Sequence, residues 1–148
     1  MNGMFRYGKT KAPPMREVVS QRVVEQRIRN RVMEVLEKAS SFREQMLYQQ
    51  AVQWVHIPYE IVNQWEDWVH VDPRIDPNPL PIYTADEVDA LGEFHGSWEA
   101  AVEALPADYP TIVQVQQIPE WGAMRDAAIV CLEVFARRGR MSEEEEHD

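Results

Sequence analysis

A single cysteine, Cys131, among 148 residues leaves no partner for an internal disulfide and no paired spacing for a structural metal. The longest uncharged apolar run, Ala127 to Leu132, is six residues, far short of the roughly 20 that a helix needs to cross a bilayer. No transmembrane helix is expected. The first twenty residues hold no apolar stretch ahead of a small-residue cleavage site, which argues against a secretory signal, so the cytoplasm is the expected compartment. Six glycines leave little material for a phosphate-cradling loop, and G-x-x-x-x-G-K, G-x-G-x-x-G, G-x-S-x-G and H-E-x-x-H are all missing. The common nucleotide-binding, hydrolase and zinc-protease routes therefore lose their support. The chain reads as non-enzymatic, with no cofactor.

What is present is enough to fold. The chain is 45% hydrophobic and 27% charged, with five Trp and seven Met, too apolar for a wholly disordered chain. Its length suits one domain that closes a core without staples. The net charge of −10 argues against a general nucleic-acid binder, yet it hides an asymmetry. Residues 1–43 carry ten basic side chains against four acids, while the remainder carries five against 21. One reading lays the basic segment across the acidic remainder, of the same chain or of a neighbouring copy. The other has it meet an external anion: an acidic protein surface, or nucleic acid bound by the N-terminal 43 residues. No membrane partner is expected.

Along the chain, residues 1–14 mix Phe5 and Tyr7 with Arg6, Lys9 and Lys11 and close on Pro13-Pro14, the composition of an extended basic arm. From Met15 the pattern turns helical, with Val24, Ile28, Val32, Val35 and Ala39 forming an apolar stripe. Arg16, Arg27, Arg31 and Lys38 flank that stripe on one side, Arg22 and Arg29 on the other. Ser41 with Glu44 predicts a second helix through Met46, Leu47, Val52, Trp54 and Val55 up to Pro58. Pro58 opens a third, carrying Ile61, Val62, Trp65, Trp68 and Val69. The proline-rich stretch within residues 72–83 predicts a stiff connector. Thr84 with Glu87 opens a fourth helix that Gly92 and Gly96 threaten to split. Residues 111–117 fit a short strand or a helical turn equally. A last helix from Pro119 carries Trp121, Met124, Ala128, Cys131, Leu132 and Phe135 and stops at Gly139. Residues 140–148 form an acidic tail expected to stay unstructured without a partner. The expected fold is all-α: about five helices over residues 15–139, in two packed subassemblies (15–71 and 84–139) that share a core.

Function is then read from surfaces. The arm and first helix, through Phe5, Arg6, Tyr7, Lys9, Lys11, Arg16, Arg27 and Arg31, suit docking onto an acidic partner or a further copy of the chain. An adaptor, inhibitor or assembly subunit fits that pattern. Trp65 and Trp68, at i and i+3 of the third helix, are candidate interface aromatics, although periodic tryptophans ordinarily mark a core. A third reading is a metal-dependent helical enzyme, with Asp67 and His70 on one helix facing His95 and Glu99 on another. The glutamate-x-x-histidine pattern of such sites is absent. Cys131, on an apolar stripe, reads as a buried thiol rather than a nucleophile.

Overall fold

The computed structural model describes residues 18–147, which hold six helices and no strand. They are α1 (Gln21–Ala39), α2 (Phe42–Ala51), α3 (Ile57–Trp68), α4 (Ala85–Ala104), α5 (Ile112–Val115) and α6 (Pro119–Phe135). Residues 1–17, and with them Phe5, Arg6, Tyr7, Lys9, Lys11 and Arg16, lie outside the described part.

Local signals set most boundaries. Ser20 accepts from the Val23 amide and starts α1 there, so the described helix begins later than the expected Met15. Ser41 accepts from the Glu44 amide and caps α2. Thr84 and Glu87 form both halves of a capping box that starts α4, and the helix runs unbroken through Gly92 and Gly96 to Ala104. Arg74 explains Gly92: its guanidinium donates to the Gly92 carbonyl, and a Cβ there would meet Arg74 Nε at 2.0 Å. Thr111 and Gln114 form a second box, which resolves residues 111–117 as the one-turn helix α5.

Helix α2 stops four residues before the expected Val55. The cause is Gln49, whose Nε2 donates to the carbonyls of Val52 (3.2 Å) and Val55 (2.8 Å) and whose Oε1 accepts from the Ile57 amide. This clamp satisfies the backbone of a turn ahead of Pro58 and swings Trp54 outward.

A single core joins the two halves as expected. Val32, Leu36, Ile57, Ile61 and Trp65 pack with Leu91, Phe94, Trp121, Met124, Ala128 and Phe135. Helix α4 lies along α6, and α6 lies along α1. On its other sides α1 meets α2, α3 and residues 141–147. It is thus a central strut, buried on more than the one stripe that its apolar periodicity describes. Glu25, Gln26, Arg29 and Asn30 are buried alongside Val32 and Leu36.

The acidic tail departs from expectation. Residues 141–147 lie across α1 in fixed contact with it, and Met141 is buried.

Candidate interaction surface

The basic side chains of the described residues are largely engaged within the chain. Arg29 is 0% exposed and Glu87 2%. Arg29 donates to Glu87 from Nη2 at 2.7 Å and to the Phe135 carbonyl at 3.3 Å, while Nη1 reaches the Gly139 carbonyl. Its guanidinium lies over the Phe135 ring, 4.7 Å from the centroid. Arg138 closes on the same carboxylate and also donates to the Ile82 carbonyl. Glu87 therefore ties α1, α4 and the end of α6 together. Burial alone would raise its pKa, but the hydrogen bonds from Arg138 and Arg29 outweigh that and hold it below the usual carboxylate value. Arg74 pairs with Asp72 and Glu93, Arg137 with Asp86, and Arg140 with Glu34 and Glu37.

Arg27 and Arg31 meet the acidic tail. Arg27 Nε donates to the Glu143 carbonyl at 2.8 Å, and Arg31 pairs with the Glu143 carboxylate and with Glu34. Beside them, two buried amides read the tail's main chain. Gln26 donates to the carbonyls of Ser142 and Glu145, both at 2.8 Å, and accepts from the His147 amide at 2.7 Å. Asn30 pairs with both main-chain groups of Met141, at 2.8 and 3.0 Å, and donates to Glu143 at 2.9 Å. Among the described residues, the basic first segment does lie against acidic parts of its own chain.

The candidate metal ligands do not converge. His95 is interior, its Nδ1 accepting from the Trp65 indole at 3.1 Å, with Glu99 3.7 Å from Nε2. Asp67 and His70 line a separate cleft with Trp68, Leu80 and Tyr83. No group of three or more His, Cys, Asp or Glu among the described residues is placed to hold a metal. Trp65 is fully buried in the core, whereas Trp68 stays partly exposed. Burial pushes the Cys131 thiol up to about 12, with the Glu87 charge adding to the effect.

The residues that sequence reasoning missed sit at the corner of α2, α3 and α5. Trp54 is 85% exposed and Tyr109 is 69% exposed. They line an open groove with Gln49, Gln53, Val55, His56, Thr111 and Ile112, and none of these side chains is an acid, a lysine or an arginine. Tyr109 has φ +54°, a left-handed conformation that costs a non-glycine residue of order 1 kcal/mol. Its ring packs 5.2 Å from Tyr59 and 5.5 Å from His56. The His56 ring is fixed from both sides: Nε2 donates to the Pro110 carbonyl at 2.6 Å, and Nδ1 accepts from the Tyr59 amide. Tyr59 in turn donates to the Pro106 carbonyl at 3.1 Å. The 106–110 turn is thereby stapled to α3 with Tyr109 facing out.

Compared with protein-family models, with curated proteins and with solved structures, the chain matches none.

Proposed function

We propose that this protein is a non-enzymatic interaction module, an adaptor, inhibitor or assembly subunit, and that among its described residues the docking surface is the Trp54–Tyr109 groove. The observation that supports it is the pairing of an almost fully exposed tryptophan with a strained, outward-facing tyrosine on a scaffolded turn. Exposed Trp and Tyr are the residue types that concentrate binding energy in protein interfaces, and strain in a well-supported turn collects at working surfaces. The groove is uncharged on a chain of net charge −10. It suits an uncharged extended segment of a protein partner and offers no cation to a phosphate backbone. The basic arm supplies long-range attraction toward an acidic partner, and the groove supplies the short-range contact.

The test places a photo-crosslinking amino acid at Gln53 in the full chain, expressed in its native host. A discrete adduct that disappears when Trp54→Ser and Tyr109→Gly are added supports the reading. Adduct yield unaffected by those substitutions, or nucleic acid recovered in place of protein, sinks it.

A further inference from the structure

We infer that the face of α1 bearing Gln26, Arg27, Asn30 and Arg31 is a docking groove for an acidic segment of a partner protein, and that residues 141–147 occupy it as an internal competitor. The recognition is of a peptide kind. Gln26 and Asn30, both almost completely buried, spend their amides on main-chain groups of Met141, Ser142, Glu145 and His147, so most of their contacts are indifferent to which side chains the segment carries. Asn30 supplies a donor and an acceptor to one residue, as a neighbouring β-strand does. Selectivity comes from charge: Arg31 and the Asn30 amide both engage the Glu143 carboxylate, and Arg27 takes the carbonyl of the same residue. The complement is a chain with a carboxylate two residues after an apolar anchor, the place Met141 takes here, that bends where Ser142 Oγ accepts from the Glu144 and Glu145 amides.

The occupant is held in a way that permits release. Beyond Met141 it is held to α1 by hydrogen bonds from Gln26, Arg27 and Asn30 and by the Arg31–Glu143 pair, which is partly solvent-exposed and open to salt screening. Residues 143–146 are four consecutive glutamates, which repel one another when held together. Lifting the occupant exposes Gln26 and Asn30 to water, so an incoming segment competes by reproducing these main-chain hydrogen bonds rather than by relieving unpaired groups. A tethered competitor acts at an effective concentration of order millimolar, so an external segment binds visibly only when it is stronger or when the tether lifts.

The experiment is fluorescence anisotropy with a labelled peptide of sequence Met-Ser-Glu-Glu-Glu-Glu-His-Asp. It is titrated with the full chain, with the full chain carrying Glu143→Lys, and with the chain ending at Arg140, each checked for helical circular dichroism. The expected result is weak binding to the parent chain and binding at least about tenfold tighter when the internal segment is lifted or removed. That binding falls with added salt and is lost on Asn30→Ala. A Glu-to-Gln peptide binds more weakly. Failure of the peptide to bind any folded variant up to millimolar concentration overturns the inference, as does binding unchanged by Asn30→Ala. A concentration-dependent dimer of the parent chain that vanishes on removal of residues 141–148 would assign the groove to a second copy and equally overturn it. Neither result touches the Trp54–Tyr109 reading, whose crosslinking test does not depend on residues 141–147.

Discussion

Replacing Glu87 by alanine strikes the chain where three elements share one carboxylate. The substitution leaves Arg29, fully buried, without its counter-ion, and removes the side-chain half of the α4 capping box. Stripping one partner from a buried ion pair costs about 3–5 kcal/mol, because the remaining charge stays in a medium that solvates it poorly. The carbonyls of Phe135 and Gly139 and the Phe135 ring still engage Arg29, which places the expected loss toward the lower end of that range. With a urea slope of about 2 kcal/mol per molar, the unfolding midpoint should fall by roughly 1.5–2 M. Arg29→Met should cost less, about 1–3 kcal/mol, since Glu87 keeps Arg138 and the apolar replacement needs no counter-ion. The double variant should be little worse than Glu87→Ala alone, a non-additivity expected of groups in one network. Urea titration followed by tryptophan fluorescence measures all three. A Glu87→Ala variant within about 1 kcal/mol of the parent, or a double variant whose loss is the sum of the singles, would refute the assignment of Glu87 as the shared counter-ion.

Three further outcomes follow from the same structure. Because Glu87 has a depressed pKa in the folded state, its contribution is fully present above the unfolded glutamate value of about 4.3 and is lost as pH falls through the folded value; stability measured below about pH 4 should decline less steeply in Glu87→Gln than in the parent. Gly96→Ala, in mid-helix with nothing within 4 Å of the added Cβ, should stabilise by about 1 kcal/mol and raise Tm by a few degrees, whereas Gly92→Ala should forfeit that gain by displacing Arg74; calorimetry of the pair checks both. Cys131, buried with its thiol pushed up to about 12, should react with a disulfide reagent at neutral pH only on the timescale of unfolding, and immediate reaction in the native protein would contradict its placement.

What was legible in the sequence was local. Thr84 with Glu87 announces the start of α4 because both partners lie within one turn, and the 3.6-residue recurrence of Trp121, Met124, Ala128 and Phe135 announces the buried face of α6. The second use of Glu87 was not legible, since its partner Arg29 is 58 residues away and nothing near either residue signals the other. For the same reason α1 reads as an amphipathic basic helix while much of its polar face is covered: Gln26, Arg27, Arg29, Asn30 and Arg31 are paired with residues that arrive from α4 and the C-terminal segment. The acidic run 143–146 has the composition of a solvated tail, and its order rests on Gln26 and Asn30, which apolar periodicity ignores. Trp54 was misplaced on α2 because Gln49 ends that helix with its side chain, an event with no compositional mark. Tyr109 falls in a turn between Pro106 and Pro110, where no period exists to flag it.

The basic first helix is an interior strut of the fold, with the chain's own acidic segment lying across it. Hydrogen exchange of the full chain, followed by mass spectrometry at neutral pH and moderate salt, tests it most directly. Amides from Val24 to Leu36 should exchange only through global unfolding, with the slowest rates in the molecule, and residues 141–147 should show measurable protection that salt erodes first. Rapid exchange along the Gln26–Arg31 turns, on the timescale of the solvent-exposed connector, would contradict it.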